Sequence, residues 1–166
     1  VPEPLLVGSH RKSAFLVMEA IAMESPPDRS AAERRLGEQL ATLHRVETDR
    51  FGWHRNNRIG DTLQLNTWED DWVTFFRKHR LGMQWQWAEE KGLTLSAMPI
   101  LLEALPVFFN DYTPKPSLLH GDLWSGNVSY DANSQPVIFD PAVYHGDRET
   151  DLAFTEMFGG FGPAFY

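Results

Sequence analysis

Asp122 and Asn127, five residues apart, and Asp140 further along form the constellation in this chain whose residue types and spacing could do chemistry. They sit in His120-Gly121-Asp122-Leu123-Trp124-Ser125-Gly126-Asn127 and in Phe139-Asp140-Pro141-Ala142. The chemistry that such a set serves is phosphoryl transfer. Asp122 at a loop apex accepts the proton of an attacking hydroxyl, and Asn127 re-enters the site at the start of the next strand. A hairpin then runs out along Val128-Ser129-Tyr130, turns through Asp131 to Gln135, and returns along Pro136 to Phe139. That return predicts Asp140 beside Asn127, where the two side-chain oxygens share divalent ions. Mg²⁺, which takes hard oxygen ligands together with substrate phosphates, fits such a pair. A surface loop shaped by Gly121 and Gly126, with Asp122 closing it through Asx-type bonds, would explain each residue singly. It does not explain the whole set in a strand–loop–strand context.

The elements that must position these residues can be traced outward. Ala14 to Glu19 reads as a buried strand bounded by the polar turn Ser9 to Ser13. Pro26-Pro27 breaks the chain, and Ser30-x-x-Glu33 is a capping-box signature. Ala32, Leu36, Leu40, Leu43 and Val46 then recur at helical spacing, predicting a helix from Ser30 to Val46 with a core-facing stripe. His44 near its end reads as a helix-terminal histidine facing the C-terminal dipole, with a functional base as the alternative. Glu47 to Asn66 reads as a long irregular segment. There Phe51, Trp53, His54, Asn56, Asn57 and Gln64 either line a sugar-binding surface or pin an Ω-loop. Thr67 is expected to cap an aromatic-striped helix through Trp68, Trp72, Phe75, Phe76 and His79. That helix could continue past Gly82 to Lys91, with Gly92 as its stop. A further helix begins at Ser96 with Pro99 in its first turn, and Pro106 kinks or ends it. Ser117 to Leu119 is the catalytic strand, and Asp147-Arg148-Glu149 opens a last helix that Gly159-Gly160 terminates. The sum is a helix-rich α+β lobe with a small sheet carrying the site.

Composition narrows the function classes. With 166 residues, 42% hydrophobic and 13% aromatic, the chain can bury a core. A formal charge of −8 argues against a nucleic-acid partner but not against a nucleotide accompanied by Mg²⁺. No cysteine is present, which excludes disulfides and thiolate metal sites and is compatible with a reducing, cytoplasmic setting. The apolar run from Ala14 to Met23 is interrupted by Glu19 and is too short to span a membrane, and no secretory signal pattern opens the chain.

His120-x-Asp122-x-x-x-x-Asn127 matches the catalytic-loop pattern of protein kinases. The stretches Leu118 to Asn127 and Ile138 to Ala153, the latter with Gly146-Asp147-Arg148, resemble the fructosamine (ketosamine) kinase family. That family is related to aminoglycoside and choline phosphotransferases and has a protein-kinase-like fold. Phe51-Gly52-Trp53, Asn57-x-Ile59-Gly60, Gln64-x-Asn66-x-Trp68, Asp71-Trp72-x-x-Phe75-Phe76 and Met157-Phe158-Gly159-Gly160-Phe161 extend the similarity over almost the whole chain. The Trp124-Ser125 pair separates this family from its aminoglycoside cousins. Departures at His145, Leu63, His54 and Asn56 fall outside the Asp122/Asn127/Asp140 set.

The resemblance implies a protein-kinase-like C-terminal lobe, mostly helical with a small catalytic β-hairpin, and an N-terminal nucleotide lobe that is largely missing. Residues 1–24 would be the last strand of that lobe and the hinge, and 25–166 a helical lobe incomplete at its C-terminus. It implies ATP-dependent phosphorylation of a fructosamine or ribulosamine hydroxyl on a glycated lysine or a small amine, the chemistry of deglycation repair. The cofactors would be ATP and Mg²⁺. Asp122 would be the catalytic base, Asn127 and Asp140 the metal ligands, and the backbone of Glu19, Ala20 and Ile21 the adenine contact, unless that stretch is only core. Trp124 would stack on substrate or pin the loop. His120 would brace the loop rather than act as a catalytic histidine. Asp151 would cap the loop backbone by accepting N–H bonds or remain a helix-surface charge, and Asp147 and Arg148 pair locally or face substrate. No Gly-x-Gly-x-x-Gly occurs, and Lys12 lies only seven residues before Glu19, which leaves no room for a helix between a nucleotide-binding Lys and its Glu partner. With Val1 rather than Met at its start, the chain therefore reads as the central portion of a larger kinase, inactive alone. The rival readings are a phosphotransferase for another amine or alcohol, a non-catalytic binding protein on a truncated kinase lobe, and a metal hydrolase using Asp122, Asp140 and His120.

Overall fold

A computed structural model describes all residues, Val1–Tyr166. Its chain divides into two compact units, one of Val1–Ala41, Leu123–Pro141 and Phe154–Tyr166, the other of Thr42–Asp122 and Ala142–Ala153. The architecture is α+β, with helices and four two-stranded antiparallel sheets.

In the first unit, β1 (Pro4–His10) and β2 (Ser13–Met18) form a hairpin in the register Val7↔Leu16 and Gly8↔Phe15. The sequence led us to expect a buried strand at Ala14 to Glu19. Instead β2 is exposed throughout, because this ribbon has no second layer over it within its unit. Helix α1 (Arg29–His44) starts one residue before the expected Ser30 and ends two before Val46. Asp28 caps it, its carboxylate accepting from Ala31 N at 2.9 Å. Ala32, Leu36 and Leu40 are its buried stripe. Glu33 on the same face is buried and satisfied by Arg29 Nε (2.7 Å) and Gly162 N (2.8 Å). The hairpin β6 (Val128–Tyr130) and β7 (Pro136–Ile138) stands as the sequence pattern predicts.

The second unit is built on a cluster of Phe51, Trp72, Phe75, Leu119 and Tyr144. The segment expected to be irregular contains a short hairpin, β3 (Asn57–Ile59) and β4 (Thr62–Gln64), turned by Gly60 at φ 54°. The aromatic helix begins at Trp72 and not near Thr67. A bridge between Phe51 and Glu69, with N–H···O bonds of 2.9 Å in both directions, keeps the intervening residues extended. Asp71 is the cap, accepting from Thr74 N at 2.7 Å. Helix α2 (Trp72–Phe76) passes through a π-helical stretch, Arg77–Gly82, into α3 (Met83–Glu90). Gly92 at φ 79° then stops it in a Schellman motif, with Gly92 N on Glu89 O and Leu93 N on Ala88 O. Helix α4 (Met98–Ala104) gives way at Pro106 to a 3₁₀ turn over Leu105–Phe109. β5 (Ser117–Leu119) pairs with β8 (Tyr144–Gly146), so Tyr144 is delivered to the core opposite Leu119. Helix α5 (Glu149–Met157) begins in this unit and ends in the first.

Candidate functional site

β5 runs directly into His120, Gly121 and Asp122, and this turn is held by hydrogen bonds to side chains rather than by a ladder. Asp151, 1% exposed, lies in the first turn of α5. Its Oδ2 accepts from His120 N at 2.9 Å and its Oδ1 from Gly121 N at 2.8 Å. Two donors that would otherwise point into the interior are thereby satisfied. His120 is itself buried, and its Nδ1 accepts from Asp122 N at 3.3 Å, so the imidazole spans its own loop. Ala142 N donates to His120 O at 2.9 Å and closes the other side. Gly121 at φ 80° is required twice over, since a Cβ there would also overlap the Ala142 carbonyl oxygen. Asp122 stands half-buried at the end of this turn.

Leu123 onward belongs to the first unit. A 3₁₀ turn over Ser125–Asn127 feeds β6. Asn127 is buried, its N–H bonded to Trp124 O at 2.9 Å and its carbonyl accepting from Phe139 N at 3.2 Å. Because Val128 pairs with Ile138, this last bond places Asn127 opposite Phe139 and next to Asp140 at the hairpin mouth. Asp140 is exposed and carries φ 54°, a left-handed backbone uncommon for a non-glycine residue. An amide and a carboxylate at adjoining positions are the hard-oxygen donors that a magnesium ion takes. No group of three or more His, Asp or Glu is placed to hold a metal alone, so phosphate and water would complete such a shell.

Trp124 is 38% exposed, with its ring over Gly126 and tilted against Phe158 at 5.7 Å. The stretch expected at the adenine edge follows β2 without regular structure. Glu19 bonds to Glu3 (N–H to Glu3 O, 2.9 Å), Ala20 is exposed and Ile21 half-buried. The structure thus groups His120, Asp122 and Asp151 in one unit and Trp124, Asn127 and Asp140 in the other, with Asp122 and Leu123 consecutive in the chain.

Three further residues acquire roles that sequence patterning missed. His44, at the end of α1, is buried, with Nε2 2.9 Å from Asp151 Oδ2, a third nitrogen on that carboxylate. Its position in the last turn of a helix gave no sign of a partner more than a hundred residues away. Asn57 and Gln64 do not face outward as a sugar surface would require. Asn57 Nδ2 donates to Val143 O at 2.7 Å, and Gln64 Nε2 to Ala142 O and Asn57 Oδ1 at 2.9 Å each. Asp147 and Arg148 part company. Asp147 is buried, accepting from Tyr112 Oη (2.9 Å) and Glu149 N (3.2 Å), while Arg148 is exposed beside Glu149.

Comparison with known proteins places this arrangement. The chain is 44% identical over 167 residues to a probable ketoamine kinase of Vibrio parahaemolyticus, covering all of this chain and 57% of that protein. It is 40% identical over 173 residues to a chloroplastic protein-ribulosamine 3-kinase of Oryza sativa, covering all of this chain and 49% of the relative. It therefore spans about half the length of the curated relatives it matches. A crystal structure named "putative fructosamine-3-kinase", from Haemophilus somnus, superimposes with a TM-score of 0.90 at 31% identity over the whole chain and 56% of its own length. One of the same name from Thermobifida fusca gives 0.80 at 34% identity over 96% of this chain and 54% of its own. The model of the fructosamine kinase family matches residues 1–166, so the chain belongs to the fructosamine kinase family.

Proposed function

We propose that this chain carries the phosphate-transfer centre of an ATP-dependent ketosamine kinase. The acceptor would be the O3 hydroxyl of a fructosamine or ribulosamine borne by a lysine side chain or a free amine. The phosphorylated adduct then decomposes and releases the amine. The observation that carries this reading is the adjoining placement of Asn127 and Asp140 at one hairpin mouth, with Asp140 in a strained backbone. The names of the relatives supply the acceptor class.

In this reading Asp122 takes the proton of the acceptor hydroxyl as the hydroxyl oxygen attacks the terminal phosphorus of ATP, whose bond to the β-phosphate oxygen breaks to release ADP. The clamp of Asp151 and His120 on the loop keeps Asp122 at its apex without a search through conformations. Asn127 and Asp140 would hold Mg²⁺, which neutralises charge on the phosphates. Trp124 offers an exposed ring for the sugar, and the backbone at Glu19, Ala20 and Ile21 the edge for adenine.

Asp122→Asn in the complete kinase tests the assignment. It should fold and bind ATP as the parent does while phosphate transfer falls by about 10²–10⁴-fold. Unchanged turnover would reject Asp122 as the base.

A further inference from the structure

We propose that Gln64 and Asn57 are positioning residues that fix the backbone immediately after Asp140, so that the kinase centre depends on two amides that do not reach substrate. The inference rests on the reading of Asp140 and Asp122 given above. Ala142 and Val143 lie in an irregular stretch between Pro141 and β8, where no strand ladder holds them. Their two carbonyls are held instead by side chains, Ala142 O by Gln64 Nε2 (2.9 Å) and Val143 O by Asn57 Nδ2 (2.7 Å).

The direction of every bond in this network is forced. Carbonyl oxygens only accept, so both amides must present NH₂ to them. Gln64 uses its second N–H on Asn57 Oδ1 (2.9 Å), and Asn66 Nδ2 donates to the same oxygen (3.0 Å). Asn66 is in turn oriented by Arg80, a donor-only group, whose Nη2 lies 2.8 Å from Asn66 Oδ1. Arg80 is fixed by its bonds to Leu65 O (2.6 Å) and His79 O (2.9 Å), with its guanidinium 4.1 Å from the centre of the Tyr144 ring. A chain of donors thus runs from a clamped guanidinium through Asn66 and Asn57 to Val143 O, and Gln64 joins it at Asn57 Oδ1 while holding Ala142 O, so no amide is free to flip.

The segment so held is the partner of the catalytic turn. Ala142 donates to His120 O, and its carbonyl rests against Gly121. In the other direction only Pro141, whose ring fixes φ near −65°, separates Ala142 from Asp140. Displacing Ala142 would therefore disturb the loop of Asp122 and, through Pro141, the backbone that continues from Asp140.

The test is Gln64→Glu in the complete kinase, which replaces both N–H donors by oxygen and faces a carboxylate with two acceptors. We expect kcat to fall about 10- to 100-fold, as an ångström-scale misplacement does. The acceptor KM should stay essentially unchanged, and the Mg²⁺ concentration for half-maximal rate should rise. Asn57→Ser should shift the same two quantities less, and the double variant less than additively. Asp140→Asn serves as the reference. If it keeps full activity, the metal reading fails. If it is inactive while Gln64→Glu keeps parental kcat and Mg²⁺ dependence, the positioning proposal is overturned alone. Failure of both amide variants to fold would also overturn it, by making the amides determinants of the fold.

Discussion

Two buried carboxylates at the start of α5 show how differently one side-chain type can be used. Asp151 receives N–H groups from His120, Gly121 and His44 within 2.9 Å, so its desolvation is offset by three donors. Asp147, also buried, has only the Tyr112 hydroxyl and one backbone N–H. Burial therefore dominates and raises its pKa above the usual aspartate value, with those two bonds opposing the rise. Burial and the neighbouring carboxylate push the Tyr112 hydroxyl up to about 12, so it stays a donor at any ordinary pH. The sign follows from linkage. An acid with a raised folded pKa favours the native state most below its unfolded value near 3.8, and that contribution is lost as pH climbs through the raised value. Asp147→Asn keeps an acceptor oxygen for both donors and removes the charge. Its melting temperature, compared with the parent's from pH 3.5 to 7, should gain on the parent as pH rises through this window. A constant difference between the two curves would refute the account.

At the scale of elements, the turn from His120 to Asp122 follows a strand of three residues and precedes a single turn of 3₁₀ helix, and its shape is held by partners distant in sequence. Gly121 is the tightest point. Gly121→Ala would place a residue at φ 80°, costing about 1–2 kcal/mol for the left-handed backbone alone. Overlap with Ala142 O adds to that, for a total loss of roughly 3 kcal/mol or more in urea unfolding. A loss below the backbone cost alone would mean that Ala142 can retreat. This turn also marks what could be read from the chain. The hairpin, α1, the Schellman stop at Gly92 and the start of α5 follow from local signals: turn residues, an apolar 3.6-residue period and a glycine in place. β8 and the inward aim of Asn57 and Gln64 depend on partners up to about ninety residues away, which no local pattern encodes. Of the candidate site, residue types and spacing brought out Asp122, Asn127 and Asp140. The residues behind them, His44, Gln64 and Asn57, read as a dipole-facing helix end and as a sugar surface or Ω-loop, because an amide or imidazole carries no sign of which way it faces.

Over the whole molecule, apolar burial is uneven, and local stability should follow it. The cluster of Phe51, Trp72, Phe75, Leu119 and Tyr144 is nearly inaccessible, with the Trp72 and Tyr144 rings stacked on Phe75 at 5.7 Å. The β1–β2 ribbon instead exposes Leu5, Leu6, Val7, Phe15, Leu16, Val17 and Met18, each at 44% or more. A two-stranded ribbon has only its own ladder to resist opening, and such ribbons are marginal in water. A fully buried leucine or phenylalanine contributes about 1.5–3 kcal/mol, and the ribbon forgoes much of that at each of these side chains. Native-state hydrogen exchange on this 166-residue chain should therefore separate the two regions. Amides of Phe15 and Val17 should exchange through local opening, insensitive to low urea, while those of Phe75 and Leu119 exchange only with global unfolding and track its urea dependence. Equal protection at Phe15 and Phe75 would mean that something covers the ribbon in solution, and the exposure of its apolar face would not describe the protein's working state.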